Sequence, residues 1–377
     1  MFKKIIHTTI SPCDNERRIF NEALTAARNG YQVQILALKT PDVPPVSLME
    51  TVEIQRLTIR FWQKGALKFL CFNQKLFWHL LRSDFSLLHA HDLWVLPASA
   101  IASILKRKPL IYDAHEFYRG LKIFREKKIS ALIWKMAEWL FIRRAGKILV
   151  VNQFHADLYK KTYQRIEPPL VIQNLPFRHE SGNSESLPGF SERSATVVFQ
   201  GILKPGRGLR QMIEAFDYLD DIAFELIGFG EIEEELRDLV EKGGRREKIH
   251  FRGKMNLREI SHITQRARAG VVLFEPDSIN YRYAAPNKFF EYVMAGTPVI
   301  ASDIPTFRSF LEEFEVGVLV DPYSPEDIAR AIRQVVTDEN RWNRLHQACK
   351  QAREHWNWES QEKKLLSLYR EICTQED

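Results

Sequence analysis

Cysteine is scarce in this chain of 377 residues: Cys13, Cys71, Cys349 and Cys373 are widely spaced and form no Cys-x-x-Cys, the pattern of a reduced compartment. The close pair His346 and Cys349 has no second pair at a zinc-like interval, so it is expected to pack or to be solvated in a helical stretch. No uncharged stretch reaches the roughly 18 to 20 residues that cross a bilayer. The start, Met1 to His7, enters a strand pattern at once without an apolar signal core or small-residue cleavage site, which predicts a cytoplasmic chain. There is no Gly-x-Ser-x-Gly elbow, so Ser/His/Asp hydrolysis has no support. The first strand-to-helix turn, Ser11-Pro12-Cys13-Asp14-Asn15, contains no glycine, and the later Gly228-Phe229-Gly230 lacks the third glycine of a dinucleotide fingerprint; both argue against NAD.

What is present is apolar residue in quantity, 45% of the chain, enough for two cores of about 150 to 190 residues each. Short apolar runs alternate with amphipathic stretches: Lys4 to Thr9, a helix from Glu16 to Asn29 stopped by Gly30, then Val33 to Leu38. Further strands are expected at Val52 to Ile59, Leu87 to Ala90, Leu110 to Tyr112, Ile148 to Val151 and Leu170 to Ile172. A second series follows at Thr196 to Gln200, Ala223 to Ile227, Ile249 to Phe251, Gly270 to Phe274, Pro298 to Ala301 and Gly317 to Val320. This βαβ rhythm predicts an α/β protein with doubly wound parallel sheets. The Ser-, Gly- and Pro-rich segment 177–194 reads as a linker, giving domains at 1–176 and 195–356.

Charge is divided unevenly. Residues 1–180 carry 28 Lys+Arg against 15 Asp+Glu, or +13, and residues 181–377 carry 26 against 33, or −7, which sum to the net +6. A basic half suggests an anionic partner, and the distribution favours a membrane surface over nucleic acid. Basic and large apolar residues interleave from Arg60 through Lys64, Leu70 and Lys75 to Trp78, and again from Leu121 through Lys128 to Trp134, Lys135, Trp139 and Leu140. Such spacing suits an interfacial helix; the alternative is that the aromatics pack into the first core and the lysines are merely solvated.

The run from Ala285 to Ser302 joins a polar helix start to a buried strand through one glycine. Val271 to Phe274 reads as a strand, a polar loop follows, and Pro286-Asn287 opens a helix whose first backbone N–H groups can face an anion. Glu291 lies about one turn in, Gly296 ends the helix as a left-handed cap, and Thr297 to Ala301 continues the sheet. The loop therefore stands where open α/β sheets bind ligands.

This segment resembles the donor-site signature of the GT-B-fold glycosyltransferases, specifically the retaining family 4, and the resemblance extends over nearly the whole chain. It implies two facing Rossmann-like domains, the first binding acceptor and the second nucleotide sugar, with residues 357–377, from Asn357-Trp358-Glu359 on, crossing back to the first. It implies Glu291 on the nucleotide ribose, and Ala285, Asn287 and Lys288 of the loop and helix start around the diphosphate. The family's second glutamate, eight positions before Glu291, is here Tyr283. Glu291 could alternatively be a favourable first-turn acid paired with Lys288. In the glycine-bearing turn Gln200 to Leu209, Arg207 matches a diphosphate-binding cation, while Ile202 replaces an expected arginine, so either Lys204 compensates or one cation acts with Lys288. Gly228 and Gly230 are implied beside the base.

In the first domain, His89-Ala90-His91-Asp92 and Tyr112-Asp113-Ala114-His115-Glu116 are polar clusters at strand ends. The resemblance puts His115 beside the reacting sugar; His91 and Asp92 support it or bind acceptor, Glu116 orients an acceptor hydroxyl, and Asn15 and Arg17 approach donor phosphate and acceptor. Metal ligation by His89, His91 and His115 is set aside, because sites of this class use helix dipole and cations where others hold a metal with Asp-x-Asp. The expected function is transfer of a sugar from a nucleotide diphosphate, UDP or GDP, to a hydroxyl of a lipid-linked or glycan acceptor, with retention and without a cofactor or metal, at the cytoplasmic membrane face in surface polysaccharide or glycoconjugate synthesis. The alternatives are a degenerate module that binds nucleotide or membrane without turnover, and a nucleotide-sugar epimerase of the same fold.

Overall fold

The computed structural model describes residues 3–14, 16–59, 66–121, 124, 127–178 and 187–374. The chain divides into two compact units, Met1–Asn174 with Gln361–Asp377, and Leu175–Ser360. Residues 179–186 of the expected linker, and Asn15, lie outside the described residues.

The first unit contains strands β1 (Lys4–Thr8), β2 (Gln32–Leu38), β3 (Val46–Met49), β4 (Val52–Leu57), β5 (Leu87–His91), β6 (Leu110–Ala114), β7 (Lys147–Val150) and β8 (Leu170–Val171). They form one sheet in the order β3-β4-β2-β1-β5-β6-β7-β8. All pairs are parallel except β3 with β4. The antiparallel β3 is absent from the sequence reading, because its four residues alternate between exposed and half-buried and Leu48 is 72% exposed, which leaves almost no apolar signal. β5 and β6 are buried along their whole length, the condition for strands covered by helices on both faces.

The second unit contains β9 (Ser194–Gln200), β10 (Ala223–Ile227), β11 (Ile249–Gly253), β12 (Ala267–Val272), β13 (Val299–Ser302) and β14 (Gly317–Val320). These pair in parallel in the order β11-β10-β9-β12-β13-β14. The strand expected over Gly270 to Phe274 runs earlier, because its amphipathic predecessor, the helix Leu257–Arg266, ends directly at Ala267. Strand order reverses between β1 and β5 in one sheet and between β9 and β12 in the other. In open α/β sheets such a switch point, at the carboxyl ends of the strands, is where ligands bind.

The helix Asn287–Met294 turns Phe289, Phe290, Tyr292, Val293 and Met294 inward and leaves Glu291 half-buried at its edge. Phe289 stacks on Phe307 at 5.3 Å and meets Phe310 and Trp356 at 5.2 and 6.1 Å, so the helix is anchored by an aromatic cluster. Pro286 precedes its first turn and Gly296, at φ +63°, follows its last.

Candidate active site

In the second unit, β9 ends at Gln200 and the chain turns through residues 201–208 before the helix Leu209–Glu214. This turn is tied to its neighbour after β10: Gly201 N–H donates to Ile227 O and Leu203 N–H to Phe229 O, both at 2.9 Å. A Cβ on Gly228 would overlap the Gly201 carbonyl, and one on Gly230 would overlap that of Leu203. The two glycines, implied by resemblance to lie beside the base, thus have a structural task of their own: they let two backbone turns touch.

The cations and the carboxylate of the expected donor site come together here. Lys288 is buried, its Nζ 3.6 Å from the Phe199 ring centre. Burial first, and then the charges of Arg207 and Lys204 against that of Glu291, hold its ammonium well below the ordinary lysine range. Arg207 lies 4.3 Å from the centre of the Phe274 ring and 5.4 Å from that of Tyr281, a packing that fixes the guanidinium plane. Glu291 accepts a hydrogen bond from Gln200 Nε2, while Thr264 Oγ1 donates to Gln200 Oε1 at 3.1 Å. Tyr292 OH receives the Gln200 N–H at 3.0 Å, so adjacent residues of the helix grip the end of β9. Tyr283 follows the short helix Ile279–Arg282, and Tyr283, Ala285 and Asn287 are half-buried along the loop into Lys288. Lys204 is half-buried and Ile202 is 58% exposed. Gln200 and Tyr281 were not selected from sequence; a polar side chain closing an apolar strand was the available signal for the first.

In the first unit, His115 follows β6 and is held between two carboxylates. Its Nε2 lies 3.1 Å from Asp113 Oδ2 and its Nδ1 3.6 Å from Asp92 Oδ1. Burial opposes its charge, but Asp92 and Asp113 outweigh it and raise the imidazole to about 9. Asp92 adopts φ +72°, ψ 157°, a costly conformation for a non-glycine residue, and Tyr118 OH donates to its carboxylate. Asp113 is fully buried and receives Arg18 through Nε at 2.7 Å and Nη2 at 2.6 Å. Despite burial, Arg18 and His115 keep this carboxyl well below its usual range.

His91 is fully buried beneath His115, its Nδ1 3.2 Å from His115 Nε2 and 3.1 Å from Asp113. With no exposed surface, His91 meets the site only through its contacts with His115 and Asp113. Glu116 is exposed and Arg17 half-buried at the start of the helix Arg17–Arg28. His346, buried on Gly296 O, and Cys349, buried near Val316 O, pack as expected. Arg18 and Asp113 escaped selection; Asp113 stood inside the motif around His115, whereas Arg18 reads as an ordinary helix-start cation.

The expected membrane segments divide. Phe69 and Trp134 pack onto Trp94 at 4.8 Å each, which leaves Trp134 half-buried. On the helix Lys128–Phe141, however, Ile129, Leu132, Ile133, Met136, Trp139 and Leu140 are all exposed, between 49% and 79%. Leu67, Leu70 and Trp78 are exposed on the helix Ala66–Arg82. Arg60 to Lys64, Lys122, Ile123, Arg125 and Glu126 lie outside the described residues. No helix among the described residues is long and apolar enough to cross a membrane.

Two Rossmann-like units, each with polar side chains at its switch point, define a GT-B-type transferase. Comparison with known proteins agrees. The family described as Glycosyltransferase Family 4 matches residues 16–174 and that described as Glycosyl transferases group 1 matches residues 185–355. The chain belongs to this family of glycosyltransferases. It is 24% identical to a phosphatidyl-myo-inositol mannosyltransferase of Mycobacterium leprae, over 92% of this chain and 89% of that protein. Among solved structures, it resembles sucrose-phosphate synthase from Thermosynechococcus elongatus with a TM-score of 0.78 at 17% identity, covering 99% of this chain and 100% of that one. It likewise resembles Anabaena HepE in complex with UDP and glucose, with a TM-score of 0.76 at 16% identity, covering 98% and 100%.

Proposed function

We propose that the chain transfers a sugar from a nucleotide diphosphate donor to a hydroxyl of a lipid-linked or glycan acceptor, with retention, in surface polysaccharide or glycoconjugate synthesis. The observation that carries this reading is the convergence of Lys288, Arg207 and Lys204 with the Gln200-held carboxylate of Glu291 at one sheet's switch point. Cations of this density repel one another until an anion arrives. A diphosphate relieves that repulsion, favours the charged form of Lys288 and gains most as negative charge builds on the leaving group. Glu291, already oriented by Gln200, suits a pair of ribose hydroxyls, which donate hydrogen bonds to a carboxylate. The HepE relative binds UDP, which makes UDP-sugars the first donors to test.

His115 is assigned to the transferred sugar, where an imidazolium at about 9 keeps its proton and donates a hydrogen bond to a sugar hydroxyl. The departing phosphate then takes the acceptor's proton, so the reading needs no protein nucleophile, and it needs no metal or cofactor. Asp92 positions His115; Glu116, Arg17 and Asn15 are assigned to the acceptor side.

The exposed row from Ile129 to Leu140, with Lys128, Lys135 and Arg143 around it, is assigned to an anionic membrane face at the cytoplasmic side. A phosphatidylinositol-type acceptor, as in the M. leprae relative's name, is presented at such a surface.

A panel of UDP-, GDP-, ADP- and CDP-sugars tests this reading by thermal stabilisation and nucleotide release without added metal. One stabilising donor with slow nucleotide release is expected. Silence across the panel would instead favour the degenerate binding module, and isomerised donor without acceptor would favour an epimerase.

A further inference from the structure

The first unit buries a second cluster, which shares only His91 with the surroundings of His115. His7 on β1 and His89 and His91 on β5 stand side by side on one face of the sheet, with ring centres 4.7, 5.2 and 4.5 Å apart. Glu22, from the helix Arg17–Arg28, closes over them, and all four side chains are 0% exposed. One ring nitrogen from each histidine and a Glu22 oxygen lie within 4.8 Å of one another. Glu22 Oε2 is 3.4 Å from His89 Nε2, close to the edge of a tetrahedron whose ligands sit about 2.0 to 2.1 Å from a zinc ion. His91 Nε2 is 3.9 Å from the same oxygen.

The atoms that face each other are poorly served by hydrogen bonds. His7 Nε2 and His89 Nε2 are buried without a hydrogen-bond partner, and the Glu22 carboxyl is met by Asp113 and by Arg18 Nε, 3.3 Å from Oε1 as an ion pair. Leaving such ring nitrogens unserved is costly. Their far sides are well held: His91 Nδ1 on Asp113 at 3.1 Å and His89 Nδ1 on Tyr369 OH at 2.8 Å. A ring fixed through one nitrogen with the other turned to a common point is how metal-binding histidines are supported.

We infer that His7, Glu22, His89 and His91 form a structural site for a divalent transition-metal ion of the zinc class. Three imidazoles and one carboxylate are borderline donors in a small, closed, four-ligand space, which suits zinc or cobalt and excludes larger oxygen-seeking cations. The ion satisfies the four inward atoms, displaces the His7–His91 contact of 2.9 Å and ties the helix Arg17–Arg28 to the switch point below His115. It has no part in binding donor.

The test uses the tag-free full chain. Elemental analysis after purification without chelator should find about one zinc per chain. After chelation, cobalt should restore one equivalent with the visible bands of a tetrahedral site, and the melting temperature should fall on removal and recover on re-addition. Tyr369→Phe should weaken cobalt binding about tenfold or more. Glu22→Gln and His89→Gln should abolish the bands. A wild-type chain with no retained metal and no cobalt spectrum overturns the inference without any variant having to fold, leaving a cluster held by protons with Glu22 neutral. Unchanged bands in both folded variants overturn it equally.

Discussion

Gln200 Nε2 donates directly to the carboxylate of Glu291, and Thr264 fixes the Gln200 amide from its other side. The last residue of one strand thereby sets the direction of an acid on a helix far away in sequence. A hydrogen bond to a charged group contributes about 1.5–3 kcal/mol, so Gln200→Leu should weaken nucleotide binding roughly tenfold or more, with Glu291→Ala costing at least as much. Calorimetric titration with the nucleotide diphosphate reads both. Wild-type affinity in Gln200→Leu would show that Glu291 needs no such guide.

Lys288 carries a cost that only a ligand repays. Its ammonium is buried against Phe199 and beside Arg207, which disfavours the charge. Lys288→Met, of similar volume, should raise the melting temperature of the ligand-free chain and remove the stabilisation given by nucleotide diphosphate. A variant less stable than wild type that still responds to nucleotide would contradict this assignment.

Arg207 differs from Lys288 in lying across two aromatic rings. Arg207→Ala should lower kcat/KM by about two orders of magnitude, roughly 2.7 kcal/mol of lost charge stabilisation, and Arg207→Lys should recover little of it because a lysine lacks the planar fork. Steady-state kinetics with donor varied separates the two.

His115 is assigned to the sugar and not to the nucleotide. His115→Ala should therefore depress transfer strongly while leaving nucleotide affinity within about twofold, a split between kcat and binding that a general loss of fold would not give. Affinity falling in parallel with turnover would remove His115 from that role.

The outward row on the helix Lys128–Phe141 predicts membrane behaviour separable from chemistry. Leu132→Glu with Met136→Glu should abolish co-sedimentation with anionic vesicles and leave donor binding intact; wild-type binding should weaken with salt. Sedimentation of wild type with neither anionic nor neutral vesicles would leave the row unexplained by a bilayer.

Much of the fold was legible because buried parallel strands are continuous apolar runs: Leu110 to Tyr112 and Val197 to Phe199 announce themselves. β3 did not, since an exposed hairpin strand buries too little to leave a pattern. For the site, Lys288, Arg207 and Glu291 could be picked out because helix starts and strand ends are marked by Pro, Gly and charge. His7, Arg18 and Glu22 could not. In sequence His7 is one residue of a strand and Glu22 one acid of an amphipathic helix, and only the pairing of β1 with β5 beneath that helix brings them together. The packing of Trp134 was likewise invisible, because both faces of its helix carry large apolar residues and only Phe69 and Trp94 choose between them.

The most direct test of the account follows isotope from donor to acceptor. The donor that stabilises the wild-type chain, labelled in its sugar, is incubated with a membrane lipid extract, and the label is traced by mass spectrometry in wild type and in Glu291→Ala. The account predicts labelled sugar attached to a lipid-linked product in the wild type alone, with free nucleotide diphosphate released in equal amount. Donor left intact by the wild type, or label recovered only as free or isomerised sugar nucleotide, would contradict it.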